Sequence, residues 1–368
     1  MARKVILGMI AVLLLFLIVT IASPRAVDQV DLTVHEWGTF TSVAGVNGEA
    51  VPWRTYTGAG DLPCFVNRFG GFKGVLLSNV RMETPVLYFY GRRDLTANVK
   101  VRFPMGTLTE WYPKATTSPS YNAIEWRDVK ISPDAVMQFP IEGGLSHYYA
   151  ARDTDATPLK LGAQNEKFLF YRGAGNFPLP ISATVTGDGK IFVKRTGSDP
   201  VGDLILFENR GGTRRYQLAA ASQNEVTFEP KSFQNNWAGL LMDLEWILMD
   251  HGLYQKEARA MIETWRDSWF EEGTRVFYIV PNRAIDSLLP LDIQPGPSQI
   301  ARVFVGRMEI ITPDIQHEVA QAVAMNDRGT LEKYGRFLES IAKRVGLKNP
   351  LLDSIYSKTA AESATCGR

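Results

Sequence analysis

The chain is short of the residues that most often announce chemistry. Among 368 residues there are two cysteines, Cys64 and Cys366, and four histidines. No C-x-x-C pair is present, which excludes a zinc centre built on thiolates. The two cysteines can close one bridge across a long loop in an oxidising compartment, or stand as two unpaired thiols. No H-x-H, H-E-x-x-H or D-x-D-x-D-G spacing occurs, and no G-x-S-x-G nucleophile elbow. The pairs Gly70-Gly71 and Gly211-Gly212 lack the flanks of a phosphate loop or a dinucleotide fingerprint. A charge excess is missing too. Forty basic residues face 39 acidic ones, for a formal net charge of +1, so nothing electrostatic points to nucleic acid as a partner. No repeat of fixed period is visible, and no cofactor follows from the pattern.

Long disorder is also excluded for the main body, because 45% of residues are hydrophobic and 21% charged, the balance of a folded domain. With 20 prolines, 31 glycines, 13 tyrosines and 8 tryptophans, the composition favours short strands and tight turns.

One long uncharged run is present. Arg3 and Lys4 precede the apolar stretch Val5 to Ala22, which at about 1.5 Å per residue is long enough to span a bilayer core. Thr20-Ile21-Ala22, followed by Ser23-Pro24, is a poor cleavage site. A signal-anchor over residues 1–23 is expected, with the membrane as partner through residues 5–22. Arg3 and Lys4 then stay inside and the body lies outside as a single-pass protein. Cleavage would instead release a secreted form.

The body reads as α+β, mainly antiparallel β in sandwich-like domains, with a helical hairpin and C-terminal helices. Residues 24–160 are expected to form a β-sandwich-like domain, with strands near 84–90, 97–103, 108–112 and 123–131 bounded by turn residues. Residues 161–230 suggest a small immunoglobulin-like β domain, with Gly187-Asp188-Gly189 as a hairpin turn. Residues 231–356 suggest an α+β region. Its helices near 237–249 and 254–269 form a hairpin, Thr312-Pro313-Asp314 starts a third helix, and Thr330 caps a last one that Gly346 and Pro350 end. Residues 357–368 read as a disordered tail.

The stretch His35-Glu36-Trp37-Gly38-Thr39-Phe40-Thr41-Ser42 carries the most information. On a strand, Leu32, Val34, Glu36 and Phe40 share one face and His35, Trp37, Thr39 and Thr41 the other. Glu36 then sits on an apolar face, where a carboxylate must be paired, metal-bound or raised in pKa. An arginine from elsewhere in the fold, making a structural pair, is the simpler outcome. His147 lies in a polar aromatic run with Arg152 and Asp155. His35, Glu36, His147 and Asp155 make a metal or acid–base centre if the fold gathers them. His251 reads as a helix-end residue and His317 as solvated. Glu271 and Glu272 sit at a helix-to-strand junction. A glycosidase-type pair there needs a distant second carboxylate such as Glu83 or Glu36; the alternative is a solvated turn salt-bridged to Arg275. The candidate catalytic residues are therefore His35, Glu36, Glu83, His147 and Glu271, and the candidate ligand-binding residues Trp37, Arg152, Asp155 and Arg172.

The string from His35 to Ser42, together with Arg81-Met82-Glu83-Thr84-Pro85-Val86-Leu87-Tyr88-Phe89-Tyr90 and the segment from Trp265 to Gly273, resembles a group of exported bacterial proteins that carry no assigned activity, cofactor or catalytic residue. The resemblance spans most of the chain after the apolar run. It implies a bacterial envelope setting, with the anchor in the inner membrane and the body in the periplasm, and nothing about chemistry. Three functions remain open on this reading. One is a membrane-anchored binding component of the envelope that holds a polymer or protein partner. Another is an extracytoplasmic hydrolase acting on glycan or another envelope substrate with the five catalytic candidates. The third is a purely structural protein.

Overall fold

A computed structural model describes residues 30–55, 62–69, 76–143, 146–220 and 224–362. The expected anchor, residues 5–22, lies outside the described residues. No described helix is long and apolar enough to cross a membrane.

Nine strands form one large sheet. They are β1 (Val30–Val43), β2 (Asn67–Arg68), β3 (Val80–Gly91), β4 (Gly106–Tyr112), β5 (Leu169–Gly175), β6 (Leu204–Arg210), β7 (Thr213–Ala219), β8 (Gly273–Ile279) and β9 (Pro297–Ile310). Their spatial order is β7-β6-β8-β9-β1-β3-β5-β4-β2. Every neighbouring pair is antiparallel except β1 and β9, which run parallel from Val30↔Pro297 to Val43↔Glu309. Segments 24–160, 161–230 and 231–356 all contribute strands to this sheet, so the boundaries expected at 160 and 230 cut through one hydrogen-bonded layer. The segment 161–230 is split. Its hairpin strands Ile181–Val185 and Ile191–Arg195 join Glu225–Phe228 in a separate three-stranded sheet. Of its other long strands, β5 and β6 pair with strands outside the segment, as in Leu169↔Leu87 and Leu204↔Tyr278.

β1 is covered on both faces, which is why it is buried from Val34 onward. One face packs on a six-stranded sheet that includes Leu95–Arg102 and Ala123–Ile131. Leu32, Val34 and Phe40 share that core with Val99, Val101, Trp126 and Ile131. The other face carries two helical covers. The first is the expected hairpin, α1 (Trp237–Asp250) and α2 (Gln255–Trp269). Asn236 caps α1 by accepting from the Gly239 amide. Trp37, Val86 and Val303 pack there against Leu244, Met261 and Trp265.

A short helix, α3 (Asn282–Leu288), follows β8. The second cover is α4 (Pro313–Ala324), α5 (Arg328–Glu332), α6 (Leu338–Arg344) and α7 (Pro350–Glu362). Thr312 caps α4 with Pro313 in its first turn, as expected. The single last helix expected from Thr330 is instead broken. Asp327, not Thr330, supplies the cap, and Gly335, at φ 46°, opens a 3-10 turn between α5 and α6. Pro350 starts α7 rather than stopping a helix, and α7 runs through the first part of the tail expected to be disordered. Cys64 is disulfide-bonded and no described cysteine is free; Cys366 lies outside the described residues.

Candidate functional site

Alternation along β1 sends its two most polar residues to opposite faces. Glu36 is fully buried on the apolar face. Its Oε1 accepts from the Tyr171 hydroxyl at 2.6 Å and its Oε2 from Arg302 Nε at 2.6 Å. Arg302 also donates to Asp286 and to the Leu289 carbonyl, each at 2.8 Å. Burial works against the Arg302 charge, but Glu36, Tyr171 and Asp286 together outweigh it and raise the guanidinium pKa. Both charges are thus paired and hydrogen-bonded, the condition for keeping an ion pair in a core.

His35, on the helical face, holds Nδ1 2.7 Å from Glu257 Oε2. Glu257 is fully buried. It also accepts from the Tyr90 hydroxyl and the Tyr254 amide, both at 2.7 Å. The imidazole packs with the Tyr90 and Tyr254 rings in a three-ring cluster, at 5.4 and 4.5 Å between centroids, and the two tyrosine rings lie 4.9 Å from each other. Glu257 was not among the sequence candidates. Its signal was an acid in the first turn of a helix, whose ordinary meaning is a cap.

The remaining candidates scatter. Trp37 is fully buried against Tyr88 and offers no ligand surface. His147 pairs with Asp267 at 2.9 Å on the surface. Asp155 pairs with Lys256 at 2.5 Å, also exposed. Arg152 grips Glu166 through two hydrogen bonds of 2.9 and 2.7 Å and faces the rings of Phe139, Tyr148 and Tyr149. The centre of His35, Glu36, His147 and Asp155 is therefore not assembled. Among the described residues no group of three or more His, Cys, Asp or Glu is placed to hold a metal.

Glu83 and Glu271 do converge, 188 residues apart in sequence (271 minus 83). Arg336, in the 3-10 turn of the second helical cover, reaches Glu83 Oε1 at 2.6 Å and Glu271 Oε1 at 3.4 Å. Arg307 of β9 reaches the same Glu271 oxygen at 2.6 Å. Both arginines donate to Ser268 Oγ, at 2.9 and 3.2 Å, and both guanidiniums lie 5.0 Å from the Phe337 ring centroid. Behind them Arg275 Nε holds Glu309 Oε2 at 2.9 Å. Arg275 also ties down the junction, donating to the carbonyls of Trp269, Glu271 and Glu272. The expected surface bridge between this turn and Arg275 is thus a buried guanidinium gripping backbone.

No family model matches the chain, and no curated protein matches it. Among solved structures, it is similar to the Fcho1 Mu homology domain of Danio rerio with a bound Eps15 peptide. The identity is 7% and the TM-score 0.32, over 77% of this chain and 97% of that one. A likeness of that depth carries nothing over to this protein, and the site rests on its own geometry.

Burial works to raise the Glu83 pKa, but Arg336, Arg81, Arg307 and Arg172 overcome it and hold the carboxyl at about 2. Burial likewise opposes Glu271, and Arg336, Arg307 and Arg275 pull it below its ordinary value. Both carboxylates are therefore ionised near neutral pH, and neither is a proton donor of the kind a glycosidase acid must be. For Arg307 a downward shift instead weakens the charged form. Burial, and then Arg275, lower its pKa to about 10.

The floor of this cluster is built by cross-strand register. Thr39 stands opposite Glu83 on β3, and Thr41 stands between Arg81 on β3 and Arg307 on β9. The register shifts between Trp37 and Thr39, and Thr84 takes φ 45°, rare for a β-branched residue. Such bulges re-aim side chains beside functional sites. Thr84 Oγ1 accepts from Arg172 Nη2 at 3.1 Å. The buried Thr39 and Thr41 hydroxyls and Arg307 Nε have no hydrogen-bond partner among the described residues. Arg307 and Glu309 escaped the sequence reading although they carry the signal that singled out Glu36, charge at alternate positions of an apolar strand. Arg336 left no such mark.

Proposed function

We propose that this chain is a membrane-anchored, extracytoplasmic binding protein, and that its binding centre is the arginine-lined floor around Thr39, Thr41, Arg307 and Arg336, which takes an anionic group such as a phosphate or carboxylate. One observation carries the reading. Three buried hydrogen-bonding groups, Thr39 Oγ1, Thr41 Oγ1 and Arg307 Nε, are left without partners in one patch whose field is positive enough to hold Glu83 at about 2. Buried polar groups are normally satisfied, and an anion is the acceptor that donors in a positive field accommodate best. Glu271, a quarter exposed, and Arg336, about a tenth exposed, are the members of the cluster that touch solvent. Binding is favoured over hydrolysis because the two converging carboxylates are both held ionised. The anchoring part of the reading rests on Val5 to Ala22 behind Arg3 and Lys4.

The test is titration of the full chain in detergent micelles with inorganic phosphate, sulfate and acetate, followed by calorimetry. Saturable binding of at least one anion is expected, weakened roughly ten- to hundredfold in Arg336→Gln, as when a charged hydrogen-bond donor is removed. No saturable heat with any of the three, or full retention of binding in Arg336→Gln, overturns the assignment of the centre.

A further inference from the structure

The outer face of α1 is apolar where a surface helix is ordinarily polar. Met242, Trp246 and Met249 stand at i, i+4 and i+7, with exposures of 71%, 64% and 39%. The opposite side, Leu240, Leu244, Ile247 and Leu248, is buried on the sheet. Tyr254, at the start of α2, extends the exposed stripe. Three long apolar side chains in a row on one helix mark a contact surface rather than chance exposure.

The position of α1 identifies what it contacts. The helix starts with Trp237 against Phe270, next to the beginning of β8. It ends near Gly252, whose added Cβ would lie 3.3 Å from Ala301 Cβ. Ala301 pairs with His35, and four residues back along β9 Pro297 pairs with Val30, the first residue of β1. The end of α1 is thus about 13 Å along the strand from Val30, at roughly 3.3 Å per residue. Seven residues separate Val30 from Ala22, the end of the apolar run. Whatever their conformation, they let Val30 stand no more than about 29 Å from it. The Trp–Met stripe therefore runs along the sheet towards the Val30 end, and Met249, at its last position, lies nearest the point where the chain leads to the apolar run.

We propose that α1 lies against the bilayer, with Trp246 and Met249 inserted at the level of the lipid headgroups. The inference rests on the anchoring reading above. Tryptophan is enriched at the headgroup level because its ring is apolar and its N–H polar. Glu245 and Asp250 flank the stripe, so attachment comes from apolar burial and not from attraction to anionic lipid, and a neutral phosphatidylcholine surface suffices.

The tryptophans make the test direct. Of the eight, Trp37, Trp53, Trp111, Trp126, Trp265 and Trp269 are buried, Trp237 is partly buried, and Trp246 is exposed. The full chain is reconstituted into phosphatidylcholine vesicles with brominated acyl chains, and emission is compared between wild type and Trp246→Phe. Bromolipid is expected to quench a component that Trp246→Phe removes, and aqueous acrylamide is expected not to reach that component. Quenching of Trp246 by acrylamide and not by bromolipid overturns the inference. Protection of Trp246 from both quenchers also overturns it, in favour of a second copy or a protein partner covering α1. An alkaline carbonate wash separates the two readings. If the chain leaves the vesicles, the anchor itself fails; if it stays and bromolipid leaves Trp246 unquenched, only the docking of α1 fails.

Discussion

Two buried charge centres lie on opposite faces of β1, and they are finished to different degrees. At Glu36 both carboxylate oxygens are used, and Arg302 is spent on Glu36, Asp286 and a backbone carbonyl. Around Thr39 and Thr41 three arginines and three glutamates (Arg275, Arg307, Arg336; Glu83, Glu271, Glu309) interlock, yet the two hydroxyls and Arg307 Nε remain without partners. A closed network stabilises a fold only when complete. On the proposed reading, the incomplete one is where a ligand supplies the missing acceptor, favoured by Arg81 and Arg172 beside the three arginines.

The largest effect is expected at the finished centre. Glu36→Ala leaves Arg302 buried and should cost about 3–5 kcal/mol in urea denaturation, whereas Glu36→Leu combined with Arg302→Met should cost much less than the two single changes summed. A loss below about 1 kcal/mol for Glu36→Ala would remove the contrast between the centres.

Acid should act on the second centre. The folded pKa of Glu83 lies at about 2, below the ordinary value of 4.5. Its contribution is therefore fully present above about pH 4.5 and is lost as pH falls toward 2. A depression of that size corresponds to roughly 3 kcal/mol at most. Denaturation midpoints followed from pH 5 to pH 2 should fall less steeply in Glu83→Gln than in the wild type; identical slopes would show that Glu83 is not held down by its arginines.

The smallest effect is the most discriminating. Thr41→Val removes a buried hydroxyl that has no partner, so the melting temperature should stay level or rise slightly. Anion affinity should nevertheless fall several-fold. A clear drop in melting temperature with unchanged affinity would assign Thr41 to the fold and not to the site.

Much of the local structure was legible in the chain. The strand 123–131 was read with its observed bounds; the start of the third helix at Thr312, and the burial of Glu36 on an apolar face with an arginine as partner, also followed from local pattern. The errors arose where partners are distant. His35 and Glu36, adjacent in sequence, serve different faces, so the expected four-residue centre dispersed. The helix beyond Thr330 broke at Gly335, and that break carries Arg336 to Glu83.

By itself the sequence determined the alternation that divides β1 into two faces, the hairpin of α1 and α2, the start of α4 at Thr312, and the uncharged apolar run from Val5 to Ala22. All of these depend on residues within a few positions of one another, where spacing along the backbone dictates direction. The tertiary structure alone decided that β1 and β9 pair in parallel, that Arg302 answers Glu36, and that Arg336 joins Glu83 to Glu271. Those matches depend on the register of strands and helices hundreds of residues apart, and many arginines could satisfy a given carboxylate until packing selects one.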